Sequence, residues 1–415
     1  AACGNTSRFY FSDVVRHLVR HSPRVSNGRA SMRATVAVID TEQLRQNIRL
    51  VRRHVEPAEL LAIVKANAYG HGLVECAELF RQEGAAMLGV AYVQEGIQLR
   101  QAGNPLPIVV LTPPQPEEAP LYCRFDLQPL ACSLPVMERM AAEARRLGVR
   151  LRVHVAVDTG MHREGIEPTA VREFVRQLSE LEGLEIIGLC THFATADEPD
   201  PSFFWEQWRQ FRDVLAELEA AGYRIPYVHA ANSAAAVRFP EARWTMVRPG
   251  IILYGYQPWQ AGERLPVRPV LQWKSRVIAL RRVPSGEGVS YHRLYRAERD
   301  TTIATVPVGY ADGYRYGLTG RAECLIRGKR FPVVGAICMD EILVDVGDEP
   351  VELGDEVVLL GQQGKEAIWA EEIACWLRTL PYEILSGISS RVPRLYVHAE
   401  SADEAEHLSS AVARV

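Results

Sequence analysis

Residues 61–91, LAIVKANAYGHGLVECAELFRQEGAAMLGVA, decide the fold. An apolar run, Leu61–Val64, stops at Lys65 and is broken by Asn67, Tyr69, Gly70, His71 and Gly72. Leu73–Glu83 then carries Leu73, Cys76, Ala77 and Phe80 at helical spacing, and Met87–Ala91 is apolar again. Strand, amphipathic helix, strand is the repeating unit of a parallel sheet. Lys65 alone is ambiguous. A lysine closing a buried strand snorkels to solvent at a surface turn as readily as it does chemistry.

The same alternation continues. Candidate strands are Leu61–Val64, Met87–Ala91, Ile108–Leu111, Leu127–Ala131, Leu151–Val157, Ile186–Cys190, Tyr227–His229 and Thr245–Val247. Amphipathic stretches lie between them, including Leu73–Glu83, Pro135–Leu147, Ala170–Leu181 and Phe203–Ala221. This alternation predicts an α/β domain, a closed (β/α)8 barrel of the TIM type over residues 32–265. An open doubly wound sheet is the alternative, disfavoured because no G-x-G-x-x-G follows the first strand. Past residue 265 the rhythm changes. VLQWKSRVIALRRV, TTIATVPVGY, ECLIRGKRFPVVGAICM, EILVDV and DEVVLLG read as short strands punctuated by Gly, Pro and Asp. One helix, Trp369–Thr379, interrupts them, giving a mostly β second domain over 266–415. Arg33–Asp40, ahead of the first barrel helix Glu42–His54, is a candidate strand of that second domain.

Composition excludes several classes. A chain of 415 residues with 47% apolar and 24% charged residues is globular. The formal net charge of −4 gives no global basic field for nucleic acid or anionic membrane. No apolar run reaches the length of a membrane-spanning helix. The eight cysteines are scattered without a C-x-x-C pair, which argues against a zinc site and for reduced thiols in a cytoplasmic protein. Residues 1–31 hold five arginines, no lysine and one acid, Asp13. They read as an organelle presequence or an over-long translated start, and the second is favoured because Met32 opens the barrel segment.

In such barrels the active face is built where strands end. The first strand ends at Lys65. The loop after the fifth is DTGMHREG, with Asp158 and Arg163. The sixth ends in CTHF, with His192; the seventh in HAANSAA, with Asn232 and Ser233; the eighth in VRPGI, with Arg248, Gly250 and Ile251. Each alone reads as a satisfied structural group. Together, one lysine, two arginines, a histidine and a serine on one rim suit an anionic cofactor. Loops after the last two strands commonly hold phosphate, and Gly250 lets the backbone approach it. A lysine without a P-loop points to a Schiff base. Pyridoxal phosphate fits both halves.

At this point nine motifs in order resemble one family: AIVKANAYGHG, VDTGMHREG, THFATAD, HAANSAA, VRPGIILYG, GVSYHRLY, VPVGYADGY, GAICMD and SSRVPR. From Met32 to Glu400 the chain resembles alanine racemase, a barrel-type pyridoxal phosphate enzyme. The resemblance implies a cytoplasmic homodimer that interconverts L- and D-alanine and supplies D-alanine for peptidoglycan. It implies that Lys65 carries the cofactor and acts as one base, for the D side. Tyr69, Ser233 and the Gly250 and Ile251 amides are implied to bind phosphate, and Arg248 to meet the pyridine nitrogen. Arg163 is implied to lie near the substrate carboxylate. Tyr291 matches the opposite base, and it comes from the partner subunit in this family, as do Tyr310 and the Met339 amide at the substrate entrance. Two bases are needed because one cannot serve both faces of a planar carbanion. His192, backed by Arg248, is the natural partner for Tyr291.

Three positions depart from the family pattern. Ala156 stands where a carbamylated lysine is frequent, so the anion bracing Arg163 must come from a bound halide or a nearby acid. Ser390 replaces a phosphate-binding tyrosine, and Ala336 an arginine. A broader-specificity or serine racemase of the same fold is therefore the alternative activity. A non-catalytic barrel that buffers the cofactor is disfavoured by the β domain carrying Tyr291.

Overall fold

The computed structural model describes residues 33–259 and 261–398. The expectation for residues 1–31 lies outside them. The chain opens with a strand, β1 (Val36–Asp40), and the helix Thr41–Val55. Asp40 caps this helix, its carboxylate accepting from the Gln43 amide at 2.9 Å. Leu44, Ile48, Val51 and Val55 recur at helical spacing and are buried.

Eight parallel strands then close into a barrel: β2 (Glu59–Ile63), β3 (Met87–Val90), β4 (Ile108–Val110), β5 (Leu127–Ala131), β6 (Leu151–Ala156), β7 (Leu184–Cys190), β8 (Tyr227–His229) and β9 (Met246–Val247). Closure is made by β2 against β9, pairing Glu59 with Met246 and Leu60 with Val247. Every residue of β3, β4 and β5 is buried, as expected for strands covered by helices outside and side chains inside. The sequence-derived strand limits agree to within two residues of those observed.

The second region is a ten-stranded sheet. β1 belongs to it. It lies antiparallel to β10 (Leu271–Arg276), pairing Ala37 with Trp273, and parallel to the strand Arg394–Val397, pairing Val38 with Leu395. The expectation of a single helix here is corrected, because two are present, Ala370–Leu377 and Pro381–Gly387. Arg378 turns left-handed at φ 55° and ends the first, and Pro381 starts the second. The seven described cysteines are all free.

Candidate active site

The turn after β2 is left-handed. Ala66, Asn67, Ala68 and Tyr69 have φ between 52° and 54°, and Gly70 follows at 84°. For each residue with a Cβ this conformation costs about 1–2 kcal/mol. Its surroundings hold it in place. One Glu95 carboxylate oxygen accepts from the Ala66 amide at 2.6 Å, the other from the Ala91 amide at 2.7 Å. Asn67 Oδ1 accepts from the Leu73 amide at 2.9 Å. The helix Pro381–Gly387 presses on the turn so closely that a Cβ on Gly70 would lie 2.1 Å from the Leu385 carbonyl oxygen. Arg394 Nε donates to the Gly70 carbonyl and the Tyr396 hydroxyl to that of His71, each at 3.0 Å. His71 is fully buried, with Nδ1 against the Ala68 and Tyr69 carbonyls. Burial pushes it down to about 4, so it is neutral with its proton on Nδ1. His71 therefore shapes the turn, as its position in the motif suggests.

Lys65, at the head of this turn, is pushed below its ordinary range by burial, then by the charges of Arg163 and Arg248. At the far end, burial raises the Tyr69 phenol and keeps it a neutral donor. A Cβ on Gly250 would sit 2.3 Å from that hydroxyl, so only glycine lets Tyr69 reach this backbone. Ser233 Oγ accepts from the Gly250 amide at 2.9 Å. The Tyr69 hydroxyl and Ser233 Oγ thus meet at the Gly250 backbone, with Ile251 next in the chain, a small polar cradle that fits an oxyanion. The ring of Tyr382 stands 6.1 Å from that of Tyr69, so a second phenol is near even with serine at 390.

Arg248 is buried beneath the rim. Its Nη2 donates to the Thr191 carbonyl at 2.7 Å and faces His192 Nδ1 at 3.1 Å. Its Nη1 faces His229 Nδ1 at 3.0 Å. Arginine only donates, so both Nδ1 atoms accept and both histidines carry their proton on Nε2. His229 Nε2 then donates to His154 Nδ1 at 2.9 Å, and His154 Nε2 to Gln128 Oε1 at 2.9 Å. Burial, then Arg248, holds His192, His229 and His154 low, so this chain of rings is neutral. The Arg248 Nε–H makes no hydrogen bond among the described residues.

Arg163 lies in the loop after β6. The loop is pinned at its base, with the Ile166 amide donating to the Ala156 carbonyl at 2.8 Å and the Asp158 amide to the Ile166 carbonyl at 2.9 Å. Gly165, at φ 123°, is required there, since a Cβ would meet the Asp158 nitrogen at 2.5 Å. Inside the loop the Asp158 carboxylate accepts from the Gly160 and His162 amides, each at 3.0 Å. At its tip Arg163 forms a two-bond fork with Glu164, Nε to Oε2 at 2.6 Å and Nη2 to Oε1 at 2.7 Å.

Lys65, Tyr69, Arg163, His192, Ser233, Arg248, Gly250 and Ile251 therefore share one rim. Tyr291, Tyr310 and Met339 are placed elsewhere, on the β region. They form a second group. The Tyr310 amide donates to the Cys338 carbonyl and the Ala311 amide to that of Met339, both at 3.0 Å. Ser290, beside Tyr291, donates to the Ala336 carbonyl at 2.7 Å. Tyr291, Tyr310 and Met339 are 67%, 43% and 52% exposed. Among the described residues no hydrogen bond, ion pair or ring contact joins the two groups. Sequence reasoning missed Glu95, Glu164, Tyr382 and the Arg248–His229–His154–Gln128 chain. Glu95 accepts from the Tyr92 amide at 3.3 Å, but with tyrosine at the helix N-cap the sequence carried no capping-box signal.

Two family models match, alanine racemase N-terminal domain over residues 39–258 and alanine racemase C-terminal domain over 270–396. An alanine racemase of Symbiobacterium thermophilum is 45% identical over 88% of this chain and 97% of its own. A solved alanine racemase of Clostridium difficile 630, in complex with cycloserine, superposes with a TM-score of 0.84 at 36% identity, covering 89% of this chain and 97% of that one. One from Bartonella henselae, with covalently bound pyridoxal phosphate, does so at 0.79 and 28% identity, over 88% and 99%.

Proposed function

The chain belongs to the alanine racemase family, and from that premise we propose that it interconverts L- and D-alanine using pyridoxal 5′-phosphate held at the barrel rim. When bound, that cofactor supplies an aldehyde for an amino group and a conjugated ring that delocalises the electrons left at Cα. Every other part of the task falls to this chain. The observation that carries the reading is a half-buried lysine, depressed by desolvation and then by two arginines, on the same rim as a polar cradle that only glycine at 250 permits.

In this reading Lys65 is the attachment point and the base on the D side. Tyr69, Ser233 and the Gly250 and Ile251 amides bind the phosphate. Arg248 would hold the pyridine nitrogen with a permanent cation, which would keep that nitrogen unprotonated and disfavour transamination. Arg163 binds the substrate carboxylate. Tyr291 of the partner subunit reaches the opposite face of Cα, where the Nε2–H of neutral His192 stabilises its phenolate. Tyr310 of the partner subunit and the amide of Met339 of the partner subunit border the entrance. The exposed cluster of all three on one surface supports their use across a homodimer. The reading places the protein in the cytoplasm, making D-alanine for peptidoglycan. No described helix is long and apolar enough to cross a membrane.

The test is chiral analysis of purified protein against a panel of L-amino acids, with and without added cofactor. Alanine turnover that persists after the protein is stripped of cofactor with hydroxylamine, or none when cofactor is supplied, rejects the reading; equal turnover of serine replaces it with the broader one. Lys65→Ala and Tyr291→Phe chains, each inactive, should regain about one working site per mixed dimer. No recovery after verified subunit exchange rejects the shared site.

A further inference from the structure

We propose that Glu164 is a positioning residue: its carboxylate holds the Arg163 guanidinium in the orientation that receives the substrate carboxylate and sets the charge balance around Lys65. This rests on the function proposed above. The loop geometry carries it. Residues 158–166 are closed at the base by two backbone bonds and cannot open without displacing Gly165. Arg163 and Glu164 are therefore presented together, and the fork takes the Nε/Nη2 edge of the guanidinium, which orients the plane and leaves the Nη1 side for a second carboxylate. The Glu164 side chain is only 16% exposed, against 52% for Arg163, so the acid is the inner member.

The charges around Lys65 give the second strand of the argument. Arg163 and Arg248 push its amine down, while Glu95 and Glu164 pull it up, and neutral His192 completes the set. Glu95 is committed to the backbone amides of Ala66 and Ala91. Glu164 is thus the acid of the set that also holds a side-chain cation. It acts on the same cations elsewhere, holding the Arg163 guanidinium above its ordinary range and opposing the downward shift of Arg248. Ala156, nearly buried on β6, supplies no charge to this loop.

The test uses the full chain with Glu164→Gln and Glu164→Asp, folding being checked by circular dichroism. In the cofactor-loaded protein, Glu164→Gln should raise KM for alanine about tenfold with kcat changed less than about threefold, the pattern of lost uniform binding. In the cofactor-free protein, acetylation of Lys65 by acetic anhydride is followed against pH by mass spectrometry. Glu164→Gln should move the midpoint downward, and Glu164→Asp, which keeps the charge, should leave it at the wild-type position while still raising KM. An unchanged KM in Glu164→Gln, or an acetylation midpoint that does not move, overturns the proposal. So does a Glu164→Asp midpoint that moves as far as that of Glu164→Gln. The acetylation arm does not depend on turnover, so wild-type protein that fails to racemise alanine rejects the function and leaves that arm readable.

Discussion

Ala66→Gly should stabilise the protein. Ala66 is exposed and sits at φ 53°, ψ 51°, so the methyl group contributes little packing and much backbone strain. Left-handed backbone costs an alanine about 1–2 kcal/mol relative to the right-handed form. Glycine escapes that cost but gains unfolded-state freedom of about 0.4–1 kcal/mol. The balance is a stabilisation of about 0.5–1 kcal/mol. The matched control is Ala216→Gly, at an exposed position inside the helix Ser202–Ala220, where φ is right-handed and the change should cost about 1 kcal/mol. Urea unfolding followed by tryptophan fluorescence measures both, compared at equal m-value. The two substitutions should move the midpoint in opposite directions. A loss in Ala66→Gly as large as in Ala216→Gly would refute the claim that the folded protein holds this turn against its own preference.

Gly250→Ala places a methyl group 2.3 Å from the Tyr69 hydroxyl, so the buried ring must shift to admit it. Fluorescence titration should show cofactor affinity falling at least about tenfold, with a stability loss of about 1–3 kcal/mol. Gly165→Ala combines φ 123° with a Cβ 2.5 Å from backbone, so the 158–166 loop should open and become the first site of limited proteolysis. Acid should destabilise the fold early. The folded values of His71, His154, His192 and His229 lie below the unfolded one, so their stabilisation is full above pH 6.5 and is lost as pH falls toward their folded values. For His71, dropping from 6.5 to about 4 corresponds to about 3 kcal/mol. Calorimetry in buffers of different ionisation heat at pH 5.5 should find net proton uptake on unfolding, and proton release would contradict the neutral chain of rings.

The barrel was legible because its strands are short apolar runs between helices of clear period, and buried parallel strands have no other pattern to show. Lys65, Arg163, His192 and Arg248 were legible as strand-end polar residues, since a rim collects whatever follows each run. The left-handed turn was not. KANAY contains no glycine, and its backbone is set by Glu95, Leu385 and Arg394, which are distant in sequence. The histidine chain was hidden for a related reason. LRVHVAV reads as a strand, and nothing local says that His154 reaches His229 over Gly188 of the strand between them. Glu164 was visible as a letter beside Arg163, but adjacency in sequence does not say which partner either side chain takes. The second helix of the β region was missed because Pro381–Gly387 is too short to show a period.

The position of β1 has a consequence for how the chain is made. Its partners are Leu271–Arg276 and Arg394–Val397, so the first described strand pairs only with residues synthesised more than roughly 200 positions later. At ribosomal speeds of about 5–20 residues per second, Val36–Asp40 waits on the order of tens of seconds as a naked, apolar strand while the barrel assembles beside it. A nascent chain stalled between the two regions carries a complete eight-stranded ring and one sticky end. Quality control would meet this protein at that strand, and a barrel cut out of the gene after residue 265 would keep the sticky end for good.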